Sequence, residues 1–152
     1  MFIGIIGDMH LQKFGYSDFF EDKRISEKEE ILNFIVNSFK KCEKIIFLGD
    51  VFHVKNPLSE TIKEFTSFLE KFNDKEIFII SGNHCLKQDG ETALDYINEI
   101  SNKRWNLITK EPKKIGDFVF APYITKNFLD CKDNISATKK LMKMMPEGKF
   151  LF

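Results

Sequence analysis

Three apolar segments of the chain end in the same way, and this shared ending restricts the fold more than any other feature. Each segment closes on a glycine and then on an aspartate or asparagine, and a histidine follows within three residues. The segments are Ile5-Ile6-Gly7-Asp8 with His10, Phe47-Leu48-Gly49-Asp50 with His53, and Ile80-Ser81-Gly82-Asn83 with His84. Because the carboxyl ends of parallel strands share one edge of a sheet, where ligands bind, these residues can converge in space.

The pattern around these endings is that of an α/β protein. Apolar runs alternate with amphipathic stretches, which predicts β-α-β units with a parallel sheet. Strands are predicted over 2–6, 44–48 and 76–80, and helices over 26–41, from Ser59 onward, and over 91–100. Ser26 and Glu29 have the spacing of a helix-capping box.

The pattern of predicted elements changes in the later part of the chain. Short strands are predicted over 106–109, 113–115 and 118–121, with a turn between the last two. A fourth helix over 135–145 is expected to turn four side chains, Thr138, Leu141, Met142 and Met145, toward the core. The last four residues read as the beginning of another strand.

Composition indicates the class of protein and its expected cellular location. The chain has 152 residues, of which 43% are apolar and 30% are charged. These values predict one ordinary globular domain. No apolar run approaches the roughly 20 residues of a membrane span, and the N-terminus has no targeting signature, so a cytoplasmic location is expected. Lys plus Arg and Asp plus Glu are both 23, so net charge does not argue for or against a polyanionic partner.

The donor atoms at the three endings predict a metal site. Asp8, His10, Asp50 and Asn83 offer two carboxylates, an imidazole and an amide oxygen, which suit Mn²⁺, Fe²⁺ or Zn²⁺ better than Ca²⁺. Asp50, on a central strand, could bridge two ions. Paired ions generate hydroxide and hold the oxygens of a phosphoryl transfer. A nearby histidine can protonate the leaving alkoxide.

The same residues carry a family resemblance. Asp8-Met9-His10, Gly49-Asp50 and Gly82-Asn83-His84 resemble the first three motifs of the calcineurin-like metallophosphoesterases. That superfamily folds as an α/β/β/α sandwich of two mixed sheets flanked by helices and uses two metals, often Mn²⁺. His53, together with Ala121-Pro122-Tyr123, makes the chain similar to the DNA double-strand-break-repair nuclease branch, the SbcD type.

The resemblance implies a role for each residue. Asp8 and His10 would hold the first metal, Asp50 would bridge, and Asn83 would hold the second metal. His84 would be the catalytic histidine, assisted by His53. The family's enzymes act on DNA ends and hairpins with an ABC-type ATPase of the SMC-like class, and a homodimer is compatible with that assembly.

The resemblance extends over nearly all of this chain but over about half of the family's catalytic domain. The family supplies further histidine ligands downstream, whereas no histidine follows His84 here. Residues 1–152 are therefore expected to be an N-terminal part of the domain, with a second metal site incomplete in this chain. Cys85 stands where the family usually has an acidic residue, and a buried inert thiol is its expected role.

Three lysines, Lys13, Lys55 and Lys87, each follow a metal motif and could neutralise DNA phosphates.

Two other functions stay open. One is a metallophosphatase or cyclic-nucleotide phosphodiesterase of the same superfamily, and the other is a catalytically inactive module that binds DNA or a partner.

Overall fold

The computed structural model describes residues 1–12, 18–84, 92–101, 104–148 and 150–151. Strands and helices alternate strictly through the first two thirds of the chain, as the sequence pattern predicts. The elements there are β1 Ile3–Ile6, α1 Asp18–Ser38, β2 Lys44–Phe47, α2 Ser59–Glu70, β3 Glu76–Ile80, α3 Ala93–Ile100 and β4 Asn106–Ile108. Three short strands and a helix follow: β5 Lys113–Ile115, β6 Phe118–Phe120, α4 Asn134–Met144 and β7 Phe150–Leu151.

The first four strands form one parallel sheet in the order β1-β2-β3-β4. Each connection therefore moves one strand further in the same direction. Because such crossovers are almost always right-handed, a sheet wound in one direction carries its connecting helices on one face. Side chains of α1, α2 and α3 do belong to a single apolar cluster with alternate residues of the strands. All carboxyl ends of the sheet consequently meet at one edge.

A second sheet covers part of the other face. β5 pairs antiparallel with β6, and β6 pairs parallel with β7, so this sheet is mixed. Its Phe118 and Phe120 form a separate apolar cluster with residues of β2, β3 and β4. The rings of Phe78 and Phe120 are stacked, with their centroids 4.7 Å apart. The predicted metallophosphoesterase-type sandwich is confirmed in these helix, sheet and sheet layers.

The first helix begins earlier than the sequence pattern indicated. α1 starts at Asp18, so Ser26 lies inside it, and the predicted capping box with Glu29 is wrong. The Ser26 hydroxyl instead donates to the carbonyl of Lys23, 2.9 Å away. A capping box does occur in α3. There the Thr92 side chain accepts from the Asp95 N–H while the Asp95 carboxylate accepts from the Thr92 N–H.

The fourth helix packs differently from its prediction. Thr138 and Met142 are exposed, Leu141 and Met145 are half-buried, and Ala137 is the buried residue of α4. The helix lies beside the turn that precedes it, where the Lys140 ammonium donates to the Leu129 carbonyl. Apolar spacing fits a helix here, but the described residues provide no layer to cover its larger side chains.

Asp133 caps α4 at its N-terminus. Its carboxylate accepts from the side-chain hydroxyl of Ser136 at 2.6 Å and from the Ser136 N–H at 2.7 Å. These hydrogen bonds, the hydroxyl foremost, favour the charged form and hold the pKa of Asp133 below its ordinary value of 3.8. This perturbed acid stabilises a helix end and lies outside the two His/Asp groups described below.

Within the described residues, no helix is both long and apolar enough to cross a membrane.

Candidate metal centre

Backbone hydrogen bonds also join the residues that follow β1 to the residues that follow β2. The His10 N–H donates to the Asp50 carbonyl at 2.9 Å, and the Leu11 N–H donates to the Val51 carbonyl at 2.8 Å. The His53 N–H returns to the Leu11 carbonyl at 3.2 Å. The first two sequence motifs are thus held against each other by the main chain rather than by their side chains.

The third motif is joined to the second by a close approach of two glycines. The Gly49 backbone has a φ of +110°, and a Cβ there would lie 3.0 Å from the Gly82 Cα. A Cβ on Gly82 would lie 2.1 Å from Asp50 Oδ1. Both positions therefore require glycine, one for its backbone angle and contact, the other for contact alone. Beside them, the His84 N–H donates to Asp50 Oδ1 at 2.9 Å.

The backbone is strained at three of the proposed metal ligands. Asp8, His10 and Asp50 have φ angles of 47°, 47° and 42°, in the left-handed region. Aspartate and histidine tolerate this region better than most residues, but it still costs free energy. Among the described residues other than glycine, Asp130 alone shares this conformation. Strain concentrated in this way is typical of functional sites, where it orients side chains that regular structure would point elsewhere.

Asp8, His10 and Asp50 form a compact donor group. One ligand atom from each lies within 4.8 Å of those of the other two. Asp50 as a whole residue is 9% exposed, so little of it meets solvent. The His10 Nδ1 atom is buried and has no hydrogen-bond partner among the described residues. Two carboxylates and an imidazole with an unused buried nitrogen fit a divalent transition-metal ion.

The three histidines form a second, overlapping group. Ligand atoms of His10, His53 and His84 also lie within 4.8 Å of one another. The rings of His53 and His84 are stacked with centroids 5.6 Å apart, and His10 meets both edge-on, at 5.4 Å and 5.0 Å. Every histidine of the chain therefore lies in one cluster at the edge of the sheet.

The tautomer of His84 follows from its hydrogen bond. Its Nδ1 lies 2.8 Å from the carbonyl oxygen of His53. A carbonyl oxygen only accepts, so Nδ1 must carry the proton. In the neutral ring, Nε2 is then left as an acceptor or ligand atom. This bond is absent from the sequence-based description of the site, because a main-chain acceptor leaves no mark in the residue pattern.

The structure also places other residues that the sequence predicted for the site. Asn83 is exposed in the turn that follows β3, directly before His84, and Lys55 is exposed two residues after His53. The Tyr123 N–H donates to the Ser81 carbonyl at 2.9 Å, so the Ala121-Pro122-Tyr123 segment reaches the same edge as the third motif. Lys13, Lys87 and Cys85 lie outside the described residues.

A cavity of about 400 Å³ that the sequence did not reveal adjoins the centre. It lies between the loop that carries Asp8 and His10 and the facing side of α1, which contributes Arg24, Lys28 and Ile31. Lys28 is paired with Glu64, with 2.7 Å between Nζ and Oε1. Of the α1 residues that line the cavity, Arg24 alone precedes the helix that the sequence predicted over 26–41.

Comparison with known proteins gives three results. The sequence model of the calcineurin-like phosphoesterases matches residues 1–149. A search of curated proteins found no significant match. The crystal structure of the Pseudomonas putida nuclease MPE superposes with a TM-score of 0.47 at 16% sequence identity, over 80% of this chain and 53% of that one. The chain therefore spans about half the length of that structure.

Proposed function

The chain belongs to the calcineurin-like phosphoesterase family, and from this premise we propose that it is a metal-dependent phosphodiesterase acting on DNA. The observation that carries the proposal is the position of His53. This residue, three positions after Gly49-Asp50, marks the resemblance to the DNA-repair nucleases, and its ring stacks on that of His84 at the metal centre. A surface role for His53 would not require that contact.

The residues that would hold metal are those of the compact donor group. Asp8, His10 and Asp50 would hold one divalent ion, and Asp50 with Asn83 would contribute to a second. Two carboxylates favour Mn²⁺ as the ion. When bound, paired ions supply Lewis acidity and a hydroxide nucleophile at neutral pH.

The chain's own residues would orient the phosphodiester. His84 is fixed by two contacts, from its N–H to Asp50 Oδ1 and from its Nδ1–H to the His53 carbonyl. Its Nε2, when protonated, would donate to a non-bridging oxygen or to the leaving alkoxide. His53, exposed beside it, would hold a second phosphate oxygen. The rigid main-chain contacts between the motifs keep these groups preorganised.

Contacts with DNA and a partner subunit extend the proposal. Lys55 is exposed close to His53 and would neutralise a backbone phosphate near the scissile one, as would Lys13 and Lys87. The exposed ring of Tyr123 offers a stacking surface near the same edge. By resemblance, the working assembly is a DNA-repair or recombination complex with an SMC-like ABC-type ATPase, and the nuclease subunit would be a homodimer.

The test is Mn²⁺-dependent cleavage of end-labelled duplex DNA by the wild type and by Asp50→Asn. Asparagine keeps the shape and tolerates the left-handed backbone, so only the charge is removed. Asp130→Asn is the matched control, since Asp130 has a φ of 50° and lies outside both donor groups. Cleavage lost in Asp50→Asn and kept in Asp130→Asn supports the proposal. Cleavage that is equal in all three proteins contradicts it.

A second candidate function is a catalytically inactive module that binds DNA or a partner. It is favoured by one observation, which is that the proposal assigns two residues, Asp50 and Asn83, to the second ion. A catalytic zinc site uses about three protein ligands. DNA binding without cleavage at any Mn²⁺ concentration would identify this module.

Hydrolysis of a phosphomonoester or a cyclic nucleotide, with DNA left intact, would instead identify a phosphatase or cyclic-nucleotide phosphodiesterase.

A further inference from the structure

The metal centre contains two donor groups of different chemistry that share one residue. His10 belongs to the group with Asp8 and Asp50, and it also belongs to the group with His53 and His84. The first group is rich in carboxylate oxygen, whereas the second consists of three imidazoles. We propose that the three histidines form an alternative binding site for Zn²⁺ that excludes Mn²⁺ from the carboxylate group.

The geometry of the histidine group suits a zinc ion. Three protein ligands with an open fourth position are the usual set for zinc that is not purely structural. In a tetrahedral site with Zn–N distances of about 2.05 Å, nitrogen atoms lie about 3.4 Å apart. The ligand atoms of the three histidines lie within 4.8 Å of one another, so at most a modest closing movement is needed. His53 is exposed and can supply that movement by rotating its side chain.

Two further observations point to a ligand. Metal-binding histidines usually donate their other ring N–H to a carbonyl or carboxylate, which fixes the tautomer. His84 makes that contact, with its Nδ1 2.8 Å from the His53 carbonyl, and leaves Nε2 for an ion. His10 brings a buried Nδ1 with no protein partner among the described residues. An imidazole nitrogen buried without a partner is costly unless something binds the ring.

The two groups should differ in how strongly they favour Zn²⁺ over Mn²⁺. Imidazole ligands suit Zn²⁺, and carboxylates suit Mn²⁺, while affinity at a shared set of ligands rises from Mn²⁺ toward Zn²⁺. Because His10 is common to both groups, one ion bound by the three histidines withdraws a ligand from the other group. It also occupies His53 and His84, which the proposed function uses to hold phosphate. The inhibitory consequence therefore rests on the proposed function, whereas the binding site itself does not.

The test measures ion binding in the absence of DNA. Zn²⁺ affinity would be measured by competition with a chromogenic chelator, and the visible absorption of bound Co²⁺ would report a four-coordinate site. Two variants separate the groups, since His53→Asn removes a donor only from the histidines and Asp8→Asn removes one only from the carboxylate group. We expect His53→Asn to weaken Zn²⁺ binding at least about tenfold, because even the loss of a supporting contact costs that much.

The expected pattern is reciprocal. Asp8→Asn should retain the Zn²⁺ affinity and the Co²⁺ spectrum but lose Mn²⁺ binding, observed by electron paramagnetic resonance. In the wild type, Zn²⁺ should release bound Mn²⁺, and in His53→Asn it should need a higher concentration, because it then competes for the carboxylate group alone. Unchanged Zn²⁺ affinity in His53→Asn, or its loss in Asp8→Asn, would overturn the proposal. A protein that fails to cleave DNA can still pass this test, so the two proposals fail separately.

Discussion

Asp50 connects all three motifs of the centre through its own atoms. Its carbonyl accepts from the His10 N–H, its Oδ1 accepts from the His84 N–H, and its backbone is held in the left-handed region. A residue this little exposed cannot exchange these partners for water without cost. The carboxylate is therefore already oriented for the proposed ion, which would reduce the entropy that binding must overcome.

Gly82 is the residue whose replacement should disturb Asp50 most selectively. In Gly82→Ala, the new Cβ would lie 2.1 Å from Asp50 Oδ1 and 2.4 Å from the Asp50 nitrogen. We expect a loss of roughly 1–3 kcal/mol in the free energy of unfolding, as for other overpacked sites. Mn²⁺ affinity should fall at least about tenfold, since the supporting geometry of a ligand is displaced. Chemical denaturation and Mn²⁺ titration would measure the two effects.

Gly7 provides the matched control for Gly82. It also precedes a proposed ligand, but a Cβ there would meet no atom within 4 Å. Gly7→Ala should therefore change the free energy of unfolding by no more than about 0.5 kcal/mol and leave Mn²⁺ affinity unaltered. Equal effects of the two substitutions would show that glycine at position 82 does not serve the contact with Asp50.

The helices that pack on one face of the parallel sheet differ in how their N-termini are stabilised. α2 begins after Leu58 without a side-chain cap, whereas α3 has a full capping box between Thr92 and Asp95. The Asp95 carboxylate also accepts from the Thr109 hydroxyl at 3.1 Å, so the cap of α3 is tied to the end of β4. These contacts fix the start of α3, a helix of eight residues that would be too short to form alone.

Ser26→Ala distinguishes the observed start of α1 from the one that the sequence suggested. Inside a helix, alanine is favoured over an exposed serine, so the substitution should raise the free energy of unfolding by up to about 0.5 kcal/mol. At an N-cap, the same change would lower it by about 1 kcal/mol. Thr92→Ala, at a true cap, should show that loss. Thermal unfolding of both variants measures the difference, and destabilisation by Ser26→Ala would contradict a helix that begins at Asp18.

At the scale of the whole molecule, two apolar layers lie on opposite faces of the parallel sheet. Alternate residues of β2 and β3 enter different layers, with Ile45 and Ile77 on the helical side and Ile46 and Phe78 on the side of the second sheet. After their first residues, Lys44 and Glu76, these strands are therefore buried on both faces and apolar. Their rigidity is what holds the carboxyl ends at a fixed spacing.

Phe78→Ala tests the layer between the two sheets. Phe78 is fully buried and stacks on Phe120. Its truncation should leave a cavity and cost about 3–5 kcal/mol in the free energy of unfolding. Phe34→Ala is the control, because Phe34 on α1 is 71% exposed. That substitution should cost no more than about 0.5 kcal/mol. Chemical denaturation measures both, and a small effect of Phe78→Ala would mean that the second sheet contributes little to folding.

The residue pattern was sufficient to predict the alternation of strands and helices, the parallel sheet and the convergence of the three motifs. The sequence signals for these features are local, because hydrophobic periodicity and the residues at a strand end are read within a short window. The roles of Asp8, His10, Asp50, Asn83, His53 and His84, and the extent of the domain, stay predictions until the variants are measured.

Tertiary structure alone decided where α1 begins, which face of α4 is covered, and how the three histidines contact one another. The exposed Met142 and the interior position of Ser26 show that apolar periodicity and capping signals did not by themselves fix the covered face of α4 or the start of α1. The hydrogen bond between His84 and the His53 carbonyl joins residues 31 positions apart through a main-chain acceptor. Every residue carries that acceptor, so no sequence pattern can single it out.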